Sequence, residues 1–137
     1  MFPGATALGT AWTAASDLVP GTAYQVAVRP LFADRDGAWS PVANFTVAVP
    51  TASGPMGLIN AARPDFTWTG VAGATRYVII IDDLTTGQRV ATVRTTDTNW
   101  MPGFNLTNGH NYQWQIAARN AAGLGMWSPP MEFQVRV

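Results

Sequence analysis

Cysteine is absent from the 137-residue chain, which excludes a disulfide framework, a thiolate nucleophile and any Cys-based metal site. Lysine is absent too, so all eight basic residues are arginines. The single histidine, His110, excludes a multi-histidine metal centre. Charged residues make up 12% of the chain, about half of the ~25% usual for soluble domains, and the net charge is zero. That balance draws the chain neither to nucleic acid nor to an anionic membrane, so no nucleic-acid partner is expected. The longest purely apolar run, Val78–Ile81 behind Tyr77, is far shorter than the ~20 residues that span a bilayer, so membrane insertion is not expected either. The first ten residues have no basic segment and no long apolar segment, so the chain is not expected to be a precursor carrying its signal peptide.

What is present is an apolar fraction of 47%, enough for a core in a chain of about one domain's length. The sequence also repeats itself. Shifted by 88 residues without gaps, Trp12 falls on Trp100, Leu18 on Leu106, Gly21 on Gly109, Tyr24 on Tyr112 and Gln25 on Gln113. The register continues through Gly37 and Gly125, Trp39-Ser40-Pro41 and Trp127-Ser128-Pro129, and Phe45 and Phe133. With a unit of 88 residues, 50–137 is one complete unit and 1–49 is the C-terminal half of another. The Pro50–Pro55 stretch between them has linker composition.

The pattern predicts β-structure throughout. Short runs of β-branched and aromatic residues alternate between turn signals, with no helical periodicity. Strands are expected near 55–60, 64–69, 75–83, 88–95, 98–106, 110–119 and 129–137. Tyr112, Trp114, Ile116 and Ala118 would share one face, with Gln113, Gln115 and Arg119 on the other. Seven short strands with regular turns predict an all-β, antiparallel two-sheet sandwich.

The spacing of Pro64, Phe66 and Trp68, the apolar strand opened by Tyr77, and the run Leu106, Gly109, Tyr112, Trp114, Ile116, Ala118 resembles a fibronectin type III repeat. Gly123, Gly125, Trp127-Ser128 and Phe133 fit the last strand of that family. The resemblance covers 50–137 well, and 10–49 as the final three strands of a second copy. With Trp68, Gly73-Ala74 and Tyr77, it is similar to repeats in very long secreted bacterial proteins. It implies an extracellular or cell-surface location and a fold, and implies no activity by itself.

Leu18 with Tyr24 and Leu106 with Tyr112 resemble tyrosine corners, in which the hydroxyl bonds back to the backbone. Trp68, Trp100 and Trp114, with Phe66, Tyr77 and Phe133, are expected in the core. Trp39 and Trp127 sit at strand edges, where they are candidates for ligand stacking, and Arg119 could stack on Trp127. Asp82 and Asp83 could suggest calcium, but a calcium site wants six to eight oxygens, so turn capping is the expected role. Asp34-Arg35-Asp36-Gly37 reads as a loop tip. No paired carboxylates, no Ser-His-acid set around His110 and no phosphate loop can be assembled, so no enzyme, cofactor or metal is expected.

Two features point outward. Val78 and Ile80 lie on the face of their strand opposite Tyr77, Ile79 and Ile81, beside Ala117, and are expected as an exposed interface patch. The half unit presents Tyr24, Val26, Val28, Phe45 and Val47 without the strands that would cover them, so these are interface candidates as well. The expected partners are therefore adjacent repeats of a longer chain or other copies of this one. Strands added from a neighbouring copy, head to tail, would grow a filament. The expected function is a structural spacer or self-assembling element. The alternative is a carbohydrate- or protein-binding accessory module of a secreted enzyme or adhesin.

Overall fold

A computed structural model describes residues 4–137, and among them every regular element is a strand. Strands β1 (Ala23–Val26) and β2 (Ala43–Thr46) form an antiparallel pair by themselves. The remaining strands build two sheets from residue 52 onward. The smaller sheet has the order β3 (Ala52–Gly54), β5 (Phe66–Trp68), β8 (Asn99–Trp100). The larger has the order β4 (Gly57–Ile59), β11 (Met131–Val135), β9 (Asn111–Asn120), β6 (Arg76–Asp83), β7 (Gln88–Thr95). The short β10 (Gly123–Leu124) folds back on β9.

The two sheets enclose one core. Alternation on β9 turns Tyr112, Trp114, Ile116 and Ala118 inward, where they join Phe66 and Trp68 of the facing sheet and Tyr77, Ile79 and Ile81 of β6. The Phe66 ring meets Trp114 edge-on at 5.1 Å and Phe133 at 5.8 Å, an arrangement that the ring quadrupoles favour. The Trp114 indole N–H donates to the Pro55 carbonyl at 3.0 Å. Trp68 Nε1 is buried and has no partner among the described residues.

Three elements differ from the sequence pattern. The strand expected over 55–60 is two strands, because Pro55 has no N–H to donate and interrupts the ladder. Before the break β3 pairs with β5. After it the chain passes to the other sheet, where β4 runs parallel to β11, the one parallel pair in a sandwich otherwise antiparallel among the described residues. The strand expected over 98–106 shrinks to two residues, ending before Pro102, and the Leu106 N–H turns to the Ala62 carbonyl at 2.8 Å. The patch expected at Val78, Ile80 and Ala117 is not exposed, with relative exposures of 9%, 9% and 0%. β6 lies inside the sheet between β7 and β9, so Thr92, Arg94 and Gln115 flank these residues on the same face. Side chains of that length lay their stems along apolar neighbours.

Backbone hydrogen bonds recur at the spacing of the sequence repeat. Gly21 N–H donates to Val47 O at 2.7 Å, and Gly109 N–H to Val135 O at 2.8 Å. Ser40 N–H bonds Val28 O at 2.7 Å, and Ser128 N–H bonds Ile116 O at 2.8 Å. The serine hydroxyls recur likewise, accepting from Val28 N–H at 3.0 Å and from Ile116 N–H at 3.1 Å.

Candidate functional site

The β1–β2 pair presents an exposed apolar surface. Tyr24 holds its loop as a tyrosine corner does, its hydroxyl accepting from Val19 N–H at 3.0 Å. Tyr112 does the same from Thr107 N–H at 2.9 Å. The Tyr24 and Phe45 rings stack at 5.8 Å, as Tyr112 and Phe133 do at 5.3 Å. The surroundings then diverge. Around Tyr112 the second sheet covers the rings, and the far edge of β9 is bonded to β6. Among the described residues β1 pairs with β2 alone. Val26 and Phe45 remain 43% exposed and Val28 67%, while Tyr24 and Val47 are half-buried. Val26, Val28, Phe45 and Val47 thus line a sheet face that no further strand of the described residues covers, next to a strand edge left open among them.

This pair is tied to the sandwich along a short seam. Asn120 Nδ2 donates to Leu18 O at 2.9 Å, and Met126 N–H to Pro20 O at 3.0 Å. Pro20 and Pro50 are fully buried. Close approach there requires glycine: a Cβ on Gly125 would stand 2.6 Å from both Cβ and O of Pro20. Gly21, Val47, Val49, Met126 and Trp127 line an open depression of about 370 Å³ along the seam.

The two tryptophans singled out by sequence differ in setting. Trp39 is 61% exposed, with the Arg29 guanidinium 4.7 Å above its ring centre and Asp36 holding that guanidinium at 3.0 Å. Trp127 is half-buried at the seam. The expected stack of Arg119 on Trp127 does not form; the arginine-over-ring pairs among the described residues are Arg29 on Trp39 and Arg35 on Phe32. The position 88 residues after Arg29 is Ala117, so Trp127 lacks the counterpart of the arginine that lies over Trp39.

Asp82 and Asp83 are both engaged. Asp82 is held by Arg89 in a two-bond contact at 2.7 and 3.2 Å. Arg89 and a bond from Gln113 hold its carboxyl below the usual carboxylate range against a smaller effect of burial, and Asp82 in turn raises Arg89. Asp83 is buried and accepts from Thr85 N–H at 2.9 Å and Thr86 N–H at 3.1 Å, capping the hairpin turn. Its second oxygen lies 2.8 Å from His110 Nδ1. Burial pushes the Asp83 carboxyl up, but the bonds from His110, Thr86 and Thr85 outweigh it and the net direction is down. Sequence reasoning missed the Asp83–His110 pair, because 27 residues separate the two and no local motif marks them. It ties the β6–β7 turn to the start of β9.

Similar architectures occur among solved structures. A Fn3-like protein from Clostridium thermocellum superposes with a TM-score of 0.50 at 21% identity, over 66% of this chain and 95% of that one. Its fold is fibronectin type III-like. The FN1–FN3 domains of chicken CNTN1 match at a TM-score of 0.48 and 23% identity, over 88% of this chain and 45% of that one, so the chain spans less than half of that structure. The fibronectin(III)-like modules of Clostridium thermocellum CbhA give 0.42 at 16% identity, over 63% and 94%. No protein-family profile and no curated protein matches the sequence. No helix of the described residues is long and apolar enough to cross a membrane.

Proposed function

We propose that the chain is a structural segment of an extracellular or cell-surface bacterial protein. In this reading residues 50–137 are one complete fibronectin type III-like module and 1–49 the C-terminal half of another. The observation that carries it is the β1–β2 pair, which has the corner tyrosine, the seryl bonds and the stacked rings of the complete unit but, among the described residues, no counterpart of the second sheet. An uncovered apolar face with an open edge is stable only when something lies on it. The sandwich-type match to a bacterial Fn3-like protein supports the setting.

The described residues carry two ends of the β1–β2 or β9–β11 kind and one set of strands, β3 to β8, to cover them. Exchange of that set among copies leaves half of the ends bare however many copies join. Covering strands from a neighbouring repeat of a longer array complete both ends. Filament growth is the rival, and it requires strand addition at the β1 edge without exchange. Light scattering with negative-stain microscopy on the 137-residue chain separates the two. A monomer with protease-sensitive residues 1–49 supports the array; fibres support assembly in trans, and a compact pair points to a closed contact.

The second reading, a carbohydrate- or protein-binding accessory module, is favoured by the exposure of Trp39 under Arg29. It predicts quenching of tryptophan fluorescence by a polysaccharide and loss of that quenching in Trp39→Ala. An unchanged spectrum and no retention on insoluble glycans would exclude Trp39 as a sugar-stacking site.

A further inference from the structure

Two loops with one backbone design differ in what lies on them. The corner loop of the half unit, residues 18–22, matches that of the complete unit, residues 106–110, bond for bond. Val19 N–H and Thr107 N–H each donate to the corner tyrosine hydroxyl, at 3.0 and 2.9 Å. Thr22 N–H bonds Val19 O at 3.2 Å, and His110 N–H bonds Thr107 O at 3.3 Å. Val47 N–H bonds Thr22 O at 3.1 Å, and Val135 N–H bonds His110 O at 3.2 Å. Gly21 and Gly109 turn the two loops at φ of 79° and 85°, a conformation that glycine adopts without a Cβ penalty. The carbonyls of Leu106 and Asn108 therefore hold the places that those of Leu18 and Pro20 hold in the first loop.

On the first loop both carbonyls are taken, and Pro20 is buried. Asn120 Nδ2 holds Leu18 O at 2.9 Å, and Met126 N–H holds Pro20 O at 3.0 Å. Asn120 is itself buried, and its Oδ1 accepts from Ala122 N–H at 3.0 Å, which orients the amide for that bond. On the second loop Leu106 O and Asn108 O accept no hydrogen bond among the described residues, and residues 107–109 are exposed. The Asn108 side chain is drawn toward the strand end, its Oδ1 accepting from Val137 N–H at 3.0 Å. The loop already seated specifies what fits there: an asparagine, a glycine five residues on, and the N–H that follows it. The half unit's own loop has Phe32 at the place of Asn120. Phe32 has no amide to donate, its N–H is bonded to Arg35 O at 2.8 Å, and the Arg35 guanidinium lies 5.5 Å from its ring centre. A second copy of the chain therefore brings no free loop of this kind, since its Asn120 lies in its own seam. A further module, joined to Val137 as Pro50 is joined to Val49, brings one.

We propose that residues 106–110, with 135–137 beside them, form a docking surface for the 120–127 loop of a following fibronectin type III-like module, so that the seam between residues 1–49 and 50–137 is a joint the array repeats. The proposal rests on the reading of 50–137 as a complete module. The test is the full chain with residues 50–137 duplicated once in frame after Val137, the added copy isotope-labelled by segmental ligation and followed by amide hydrogen exchange. The Met126 amide of the added copy should be as protected as the Met126 amide of the parent chain. Asn120→Asp in the added copy alone keeps the acceptor for Ala122 N–H and removes the donor to Leu106 O. It should lower that protection about tenfold and leave the added copy's core amides unchanged. An unprotected Met126 amide in a folded added copy, or protection that Asn120→Asp does not change, would overturn the docking surface and leave the module reading standing. An added copy with no protected core amides would overturn the module reading and the joint together.

Discussion

Tyr112→Phe and Tyr24→Phe remove the same hydroxyl from two places that differ in what surrounds them. In the sandwich, the Tyr112 ring is buried against Phe133, so the substitution keeps the packing and deletes one bond from Thr107 N–H at 2.9 Å. Losing that bond and leaving a partly buried donor unpaired costs about 1.5 kcal/mol. For a cooperative unit of 60–100 residues, that lowers the melting temperature by roughly 6–12 °C. At Tyr24 the bond from Val19 N–H is equally well formed at 3.0 Å, but among the described residues β1 and β2 pair only with each other. Tyr24→Phe should therefore leave the main transition within about 2 °C and reduce exchange protection at the Val19 amide. Urea and thermal unfolding of the full chain, followed by tryptophan fluorescence and circular dichroism, read both effects. An equal shift in the two variants would refute the reasoning, because residues 1–49 would then unfold cooperatively with the sandwich.

Three further outcomes are expected. Trp114→Phe should cost more than Trp68→Phe in the same urea assay, by about 1 kcal/mol, because Trp114 Nε1 loses its bond to Pro55 O while Trp68 Nε1 has no partner among the described residues; equal costs would argue against a role for that bond. Asp83→Ala should cost about 2–3 kcal/mol at pH 7, since two backbone N–H groups and His110 lose their acceptor. The Asp83 carboxyl is held below its unfolded value of ~3.9, so its contribution is present above that pH and is lost as pH falls through the folded value. The stability gap between parent and variant should then narrow below about pH 4, and a gap that widens in acid would contradict the assignment. Gly125→Ala, whose Cβ would collide with the Pro20 backbone, should open the seam. Hydrogen exchange should show loss of protection at Met126 N–H, with the core amides of β6 and β9 unchanged.

The strands were legible wherever a period of two ran for several residues. β6, β7 and β9 lie within a residue or two of their expected places, and the inward set on β9 is the set that alternation predicts. Legibility failed where pairing, not periodicity, sets the element. The break at Pro55 was visible as a proline, but its consequence, a strand that changes sheets, depends on β11 being free to accept β4. Val78 and Ile80 were read as exposed because alternation says which face a residue occupies and nothing about the side chains beside it. Arg94 is 16 residues from Val78, which it faces, and Gln115 is 35 residues from Ile80, which it faces.

By itself the sequence determined the all-β class, the 88-residue self-similarity, the corner tyrosines and the aromatic core, because each depends on residue type at short or repeated spacing. Tertiary structure alone decided three things. It joined Asp83 to His110, it buried Val78, Ile80 and Ala117 in the sheet, and it gathered Arg76, Arg94 and Arg119 on one face. Composition reported a net charge of zero and hid that last cluster. Charge balance is a sum over the chain, whereas local potential depends on which strands lie side by side and in what register.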